Sequence, residues 1–229
     1  MKISSVLWDV DGTLLDFKAA ESAAVKSLFA EFEMGSCTDE MVRRYSVIND
    51  GLWKQLERGE IGRQEVLIRR FEIFFAEIGA DPGLAEAFNQ KYQYRLGDTI
   101  VPKDNSLETV RALRGKVRQY VVSNGTVTAQ SKKLCLSGLG ALMDGIFLSE
   151  QLGAEKPSRA FFDAVFQSLG EDCRHTSMIV GDSLTSDILG GMNAGIRTCW
   201  YNPDGLPAPE GYRIDEQICD LRQVIALAK

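Results

Sequence analysis

The chain has 229 residues, 45% of them hydrophobic and 25% charged, and its formal net charge is -6. This composition is ordinary for a globular protein, and the length suffices for a sizeable core plus a second, smaller unit. Proteins that bind nucleic-acid polymers or anionic membranes usually present a basic face, so the acidic balance disfavours both kinds of partner. A small anionic substrate stays compatible, because a local site can be positive on an acidic protein.

The cysteines are few and widely separated, at positions 37, 135, 173, 199 and 219. Their odd number and the lack of any Cys-x-x-Cys pair disfavour a structural zinc site and a disulfide framework. We therefore expect reduced thiols in a cytoplasmic protein. No apolar run approaches the length of a membrane span, and the short apolar run before Asp9 does not resemble a signal peptide.

Short hydrophobic runs typical of buried strands lie at residues 3–8, 118–122, 145–148, 177–180 and 197–201. From residue 105 onward they alternate with helical patterns at 105–115, 126–138, 158–169 and 185–194. Strand–helix alternation predicts parallel βαβ units, and hence a doubly wound α/β sheet.

Residues 17–96 interrupt this alternation, because they contain no convincing strand. Apolar side chains recur at helical spacing at Leu67, Phe71, Phe74, Phe75 and Ile78, and further helices are predicted at 18–33, 38–58 and 83–95. Core packing is the simplest interpretation of the aromatic stripe. We therefore predict an α/β core made of residues 1–16 and 97–229, with an inserted all-α domain at residues 17–96.

Two carboxylates, Asp9 and Asp11, follow the first predicted strand and precede Gly12 and Thr13. Ligands of open α/β sheets bind beyond the carboxyl ends of the strands, where such a pair can supply a nucleophile and an acid/base. A calcium loop is excluded, because it needs its glycine at the sixth position and Gly12 is the fourth. An ordinary polar turn is disfavoured, because clustered carboxylates are costly without a cation.

Polar groups also follow the second predicted strand, at Ser123, Asn124 and Gly125. A hydroxyl, an amide and flexible backbone before a helix can bind an anion, although an ordinary strand-to-helix turn explains them equally well. Lys156 precedes the helix predicted at 158–169, where its ammonium can neutralise a phosphate. The alternative interpretation of Lys156 is a solvated surface side chain.

Asp182 and Asp187 follow the fourth predicted strand. Asp182 lies at the strand end, where it can meet Asp9, and Asp187 lies about one helical turn further on. Carboxylate oxygens are ligands that suit Mg²⁺, with water and a phosphate oxygen completing the shell. An acidic first turn stabilised by the helix dipole is the alternative, and it explains Asp187 better than Asp182.

Taken together, the chain resembles the haloacid dehalogenase superfamily of phosphohydrolases over nearly its whole length. The resemblance rests on four motifs in order: Asp9-x-Asp11-x-Thr13, Ser123-Asn124-Gly125, Lys156-Pro157 and Gly181-Asp182-x4-Asp187. It implies a Rossmann-like core with a helical cap and an aspartyl-phosphate intermediate. Asp9 would attack phosphorus, and Asp11 would protonate the leaving oxygen and then activate water.

The same resemblance implies how the phosphate and the metal are held. Ser123 and Lys156 would hold the phosphoryl oxygens, beside the amide groups of the Asn124-Gly125 turn. The implied cofactor is Mg²⁺, and its implied ligands are Asp9, the Asp11 carbonyl and Asp182, with Asp187 in support.

A narrower resemblance links the chain to the pyrimidine-nucleotide 5′-nucleotidase branch of that superfamily. It rests on residues 13–17 and 56–61, whereas Gly12 departs from a branch that often carries Asp there. It implies a nucleoside 5′-monophosphate as substrate. Candidate base-contacting residues are Phe17, Tyr45, Asn49 and Trp53, for which ordinary helix packing is the alternative.

Other functions stay open or are disfavoured on particular residues. A sugar-phosphate or phosphoglycolate phosphatase would share the core chemistry and differ in the cap. A dehalogenase is disfavoured by Asp11, and a Ser-His-Asp hydrolase by a single histidine, His175, far from any nucleophile-elbow motif. A non-catalytic protein that keeps the fold would be signalled by loss of Asp9 or Asp11, and both are present. The sequence does not indicate an oligomeric state.

Overall fold

A computed structural model describes residues 2–228, which divide into two compact units. The first, called here the core unit, comprises the residues up to Asp16, Val101–Val127 and the residues from Leu134 onward. The second, called the helical unit, comprises Phe17–Ile100 and Thr128–Lys133. None of the helices in residues 2–228 combines the length and apolar character needed to span a bilayer. Each of the five cysteines, all among these residues, is a free thiol.

The core unit is built on a single six-stranded sheet in which every pairing is parallel. Its strands are β1 (Ser5–Trp8), β2 (Arg118–Ser123), β3 (Gly145–Leu148), β4 (Ser177–Gly181), β5 (Arg197–Tyr201) and β6 (Glu216–Ile218). The spatial order is β3-β2-β1-β4-β5-β6. The chain thus extends the sheet first on one side of β1 and then on the other. This confirms the doubly wound α/β fold, and it makes the carboxyl ends of β1 and β4 the switch point where ligands bind in such sheets.

The helical unit contains four long helices, α1 (Phe17–Glu31), α2 (Asp39–Glu57), α3 (Arg63–Ile78) and α4 (Ala85–Arg95). The predicted aromatic stripe forms its core, since Phe71, Phe74 and Phe75 are fully buried. Phe71 lies 4.9 Å from Phe88 between ring centroids and stacks on Tyr45 at 5.0 Å. These contacts confirm core packing as the interpretation of the stripe.

Within residues 2–228 there are six further α-helices: α5 (Ser106–Leu113), α6 (Val127–Ser137), α7 (Ser149–Leu152), α8 (Arg159–Leu169), α9 (Leu189–Ala194) and α10 (Val224–Leu227). Phe161, Phe162 and Phe166 of α8 are fully buried against a cluster that includes Leu7 and Ile179 of the sheet. Strands covered in this way read as continuous apolar runs, which explains why β1 and β4 were predicted from sequence. The short elements β6, α7 and α10 were not predicted.

Candidate active site

Asp9 lies at the switch point of the sheet. It follows the fully buried strand β1, and its N–H donates to the Val180 carbonyl of β4 at 3.0 Å. This bond keeps the chain beside β4 for one residue beyond β1. The Asp9 side chain is therefore held at the carboxyl edge of the sheet, with 7% of the residue exposed.

Lys156 is buried, with 1% of the residue exposed, so the interpretation as a surface lysine is wrong. Its Nζ donates to Asp9 Oδ1 at 2.8 Å, to Asp187 Oδ1 at 2.6 Å and to the Val122 carbonyl at 2.9 Å. Burial alone lowers the pKa of Lys156, but the charges of Asp187 and Asp9 raise it above its usual value. Lys156 is therefore a fixed positive charge between two carboxylates.

Asn124 positions the backbone of Lys156. Its Nδ2 donates to the Lys156 carbonyl and its Oδ1 accepts from the Lys156 N–H, each at 2.8 Å. Ser158 then caps α8 by accepting from the Phe161 N–H at 3.3 Å. Both polar ends of the Asn124 amide are used in holding the lysine, and phosphate binding by Asn124 stays a prediction.

Ser123 is the last residue of β2, and it is almost completely buried. Its Oγ accepts from the Gly125 N–H at 3.0 Å, so the hydroxyl and the turn after β2 are fixed relative to each other. The preceding carbonyl, on Val122, is the one that accepts from Lys156. Ser123 and Lys156 are thus brought to the same edge of the sheet, as an anion site between them requires.

Asp182 is held by the loop that follows β1. Thr13 Oγ1 donates to Asp182 Oδ1 at 2.9 Å and accepts from the Asp182 N–H at 3.0 Å. Gly12 makes this approach possible, because a Cβ built on it would lie 2.5 Å from Asp182 Oδ2. Gly12 also has a φ of 99°, a left-handed conformation that favours glycine. A larger residue at position 12 would displace Asp182.

Asp187 lies in a wide turn that begins the helix predicted at 185–194. Residues Leu184–Ile188 form a π-helical turn, in which the Ile188 N–H donates to the Ser183 carbonyl at 3.1 Å. Such turns often occur at functional sites. Asp187 Oδ2 accepts from the Ser183 N–H at 3.2 Å, and a Cβ on Gly181 would overlap the Asp187 carboxylate. Because Gly181 has no side chain, there is room for the Asp187 carboxylate beside it.

Asp9, Asp182 and Asp187 form one cluster, with carboxylate oxygens within 4.8 Å of one another. Burial is the main cause that raises the pKa of Asp9 to about 7, of Asp182 to about 7 and of Asp187 to about 6. Lys156 supplies one positive charge for three carboxylates. A hard divalent cation fits this set, because it would bind carboxylate oxygens and offset the remaining negative charge.

Asp11 lies outside this cluster of three. It is half-buried in the loop after β1, which turns back on itself through a Gly12 N–H bond to the Leu15 carbonyl at 2.8 Å. This position beside Asp9 in the loop agrees with a role at the reacting group. A metal contact through the Asp11 carbonyl stays a prediction.

The four candidate base-contacting residues all belong to the helical unit. Tyr45 is fully buried in its aromatic core. Asn49 is buried too, and its Oδ1 accepts from Trp53 Nε1 at 3.1 Å and from Arg70 Nη1 at 2.9 Å. The observed contacts of Tyr45 and Asn49 are those of the packing alternative, and substrate contact by them stays an untested prediction.

Phe17 and Trp53 are only partly buried. The Phe17 ring has two cations near its face, Lys133 Nζ at 5.2 Å and Lys18 Nζ at 5.6 Å from the centroid. The Trp53 ring has the Arg63 guanidinium at 5.9 Å. These are cation–π contacts within the helical unit, and substrate contact by Phe17 and Trp53 stays an untested prediction.

The sequence did not predict that three residues position the carboxylates of the site. Thr13 and Gly181 stand inside the motifs, but their contacts with Asp182 and Asp187 cannot be inferred from spacing. Trp200 of β5 donates from Nε1 to the Asp182 carbonyl at 3.0 Å. No sequence signal links Trp200 to Asp182, because the contact follows from the pairing of β4 with β5.

A model of the haloacid dehalogenase-like hydrolase family matches residues 3–195. The chain therefore belongs to this family, which confirms the resemblance drawn from the four motifs. The prediction that the chain is an enzyme of hydrolase type is confirmed with it.

Several relatives match over most of their length. YfnB of Bacillus subtilis (strain 168), named as a HAD-hydrolase, is 39% identical over 205 residues, covering 89% of this chain and 86% of YfnB. The pyrimidine 5′-nucleotidase PynA of Streptococcus pneumoniae (strain ATCC BAA-255 / R6) is 36% identical, with 88% and 84% covered. The pyrimidine 5′-nucleotidase YjjG of Escherichia coli (strain K12) is 29% identical, with 92% and 91% covered.

A solved structure of one of these relatives, YfnB, is closely similar in fold to this chain. The crystal structure of YfnB bound to magnesium superposes with a TM-score of 0.92 at 35% identity, and the match covers 100% of both chains. The structural match to YfnB therefore extends along the whole chain.

Proposed function

We propose that the protein is a Mg²⁺-dependent phosphomonoester hydrolase that acts through a phosphoryl group carried on Asp9. The observation that carries the proposal is the position of Lys156, which joins Asp9 and Asp187 at the switch point of the sheet. A nucleophilic carboxylate, a buried ammonium and an acidic cation site then converge where a phosphate would bind. The names of PynA and YjjG support the same class of substrate.

In the first step, an Asp9 oxygen attacks phosphorus and the bond from phosphorus to the leaving oxygen breaks. Asp11, in its acid form, transfers its proton to that oxygen, so the alcohol leaves neutral. Asp9 then carries the phosphoryl group as an acyl phosphate.

In the second step, the ionised Asp11 takes a proton from water as that water attacks phosphorus. The bond from phosphorus to the Asp9 oxygen breaks, which releases inorganic phosphate and restores the Asp9 carboxylate. Asp11 ends the cycle protonated, as it began. One residue serves both steps because the acid of the first is the base of the second.

Lys156 and the turn after β2 would bind the transferring group. All three N–H donors of the Lys156 ammonium have protein acceptors, so it would stabilise charge on a phosphoryl oxygen as a fixed positive charge nearby. The Ser123 hydroxyl accepts from the Gly125 N–H and would donate its own hydrogen to another phosphoryl oxygen. Asn124 would act through Lys156, whose backbone it holds.

Asp9, Asp182 and Asp187 would hold the Mg²⁺. When bound, the ion would supply positive charge beside the nucleophile and the phosphoryl oxygens. The acidic cluster of this chain and the magnesium-bound structure of YfnB support this choice. The five free thiols support a cytoplasmic location.

We propose nucleoside 5′-monophosphates as the substrate class, pyrimidine nucleotides first. Support comes from the pyrimidine 5′-nucleotidases among the relatives and from the partly buried aromatic rings of Phe17 and Trp53. Phe17 follows closely on the first motif along the chain, so we propose that it stacks on the base.

Phosphate release across a substrate panel tests the proposed function. The purified chain is freed of metal with a chelator and assayed with and without added Mg²⁺ on nucleoside monophosphates, sugar phosphates and p-nitrophenyl phosphate. We expect activity only with the ion and the highest kcat/KM on a pyrimidine nucleotide. Activity in the metal-free enzyme would contradict the Mg²⁺ site, and a sugar phosphate as best substrate would contradict the nucleotidase proposal alone.

A further inference from the structure

The Trp200 side chain of β5 is buried, with 3% of the residue exposed, and it contacts Asp182 of the candidate site. It pairs with Gly181 in the β4–β5 register, and its indole N–H donates to the Asp182 carbonyl at 3.0 Å. The bond therefore holds the first residue after β4, where the chain leaves the sheet. Its acceptor belongs to a residue of the proposed cation site.

Asp182 is thereby fixed from two sides. Thr13, from the loop after β1, engages its N–H and its Oδ1, and Trp200 engages its carbonyl. The backbone on both sides of the Asp182 Cα is thus tied down by partners from different elements. Once its backbone is fixed, the remaining freedom of an aspartate is rotation about two side-chain bonds, one of which the Thr13 hydroxyl restrains.

We propose that Trp200 is a positioning residue for the divalent cation, holding Asp182 so that its carboxylate is preorganised beside Asp9 and Asp187. The inference rests on the proposed function, since it assumes that these carboxylates bind Mg²⁺. Groups that orient a metal ligand typically change metal affinity or activity by about 10- to 100-fold when removed. Loss of the indole N–H leaves the ligand in place but frees the backbone that carries it.

The chain supplies a matched control in Trp8. Trp8 is also fully buried in the same sheet, and its indole N–H also has an acceptor, Gln119 Oε1 at 3.2 Å. Gln119 in turn donates to the Val110 carbonyl and contacts none of the clustered carboxylates. Replacing either tryptophan by phenylalanine removes one buried indole donor, but only Trp200→Phe removes a bond to Asp182.

Calorimetric titration with Mg²⁺ alone, without substrate, distinguishes positioning of Asp182 by Trp200 from the general effect of losing a buried indole donor. We expect Trp200→Phe to raise the Mg²⁺ dissociation constant by about 10- to 100-fold and Trp8→Phe to leave it unchanged. Saturating Mg²⁺ should then restore most of the kcat of Trp200→Phe. If wild type and Trp200→Phe bind the ion equally, the inference is overturned while the proposed function stands. If wild type binds no Mg²⁺, both are overturned.

A second measurement needs no substitution at Trp200. In wild-type protein labelled with ¹⁵N-tryptophan, the indole signals are assigned with Trp8→Phe and Trp53→Phe, and Mg²⁺ is titrated in. We expect the Trp200 indole signal to move with the binding curve, because its acceptor belongs to a ligand residue. A Trp200 signal that stays in place while calorimetry shows binding would overturn the inference.

Discussion

Lys156 and Asp9 are 147 residues apart in the chain, yet the lysine Nζ lies 2.8 Å from the Asp9 Oδ1. The pair exists because β1 ends at the switch point and because Asn124 holds the Lys156 backbone beside β2. Burial raises the pKa of the Asp9 carboxyl, and the Lys156 charge opposes that rise, which favours the ionised form that attacks. Several consequences of this arrangement can be measured.

Lys156→Met removes the ammonium and keeps most of the side-chain volume. We expect kcat to fall by about 10²–10³-fold, as when one preorganised donor to a transition-state charge is removed. The rate of phosphate release at saturating Mg²⁺ and substrate measures this kcat. Lys116→Met, at an exposed lysine of the core unit, is the control and should keep wild-type kcat. A Lys156→Met enzyme with normal turnover would show that the lysine is only structural.

Gly12→Ala tests the close approach of Asp182. Gly12 and Gly115 both have positive φ, 99° and 74°, so alanine at either should cost about 1–2 kcal/mol of stability. Only at Gly12 does the new methyl group meet Asp182, since nothing lies within 4 Å of a Cβ at Gly115. We expect Gly12→Ala alone to weaken Mg²⁺ binding. Equal Mg²⁺ affinities of the two variants, with similar unfolding free energies, would count against the placement of Asp182.

Asp11→Asn tests the acid role through the leaving group. Acid catalysis contributes about 10²–10⁴-fold, and we expect a loss of that order in kcat/KM on a nucleoside monophosphate, whose alkoxide needs a proton. The loss should be much smaller on p-nitrophenyl phosphate, whose leaving group hardly needs one. If both substrates lose the same factor, Asp11 does not act as the acid.

Phe17→Ala tests the proposed contact with the base. Stacking on an aromatic side chain is worth about 1–3 kcal/mol, so we expect kcat/KM on nucleotides to fall by a matching factor. Activity on p-nitrophenyl phosphate should be kept. Phe32→Ala is the matched control, because Phe32 is also partly buried in the helical unit and has a lysine, Lys91, beside its ring. Parallel losses on both substrates would show that Phe17 only packs the hydrophobic core.

The sequence predicted the five longer strands and all the long helices because each has a strong local pattern. Buried parallel strands are continuous apolar runs, and the helices carry apolar stripes at a spacing of three or four. The strand β6 carries no such pattern, since its three residues are Glu216, Gln217 and Ile218. Its pairing with β5 depends on the rest of the sheet, which no local window contains.

The site was predictable where residue type alone carries the chemistry. The acids Asp9 and Asp182 could be placed at strand ends, and parallel strands bring such ends together. Burial of Lys156 was not predictable, because it depends on Asn124 and on two carboxylates distant in the chain. The indole of Trp200 was missed for the same reason, since a strand residue acquires its partner only when the strands pair.

The central claim is that the Asp9 carboxylate carries the phosphoryl group during turnover, and trapping that group on Asp9 tests the claim most directly. Asp11→Asn is mixed with p-nitrophenyl phosphate and Mg²⁺, quenched in acid during turnover, digested and analysed by mass spectrometry. Because Asp11 also activates the water, this variant should accumulate a phosphoryl group on the peptide that contains Asp9. Asp9→Asn should show none and should lose on the order of 10⁴-fold in kcat. Phosphate release without any phosphoryl group on Asp9, or near-normal turnover by Asp9→Asn, would contradict the account.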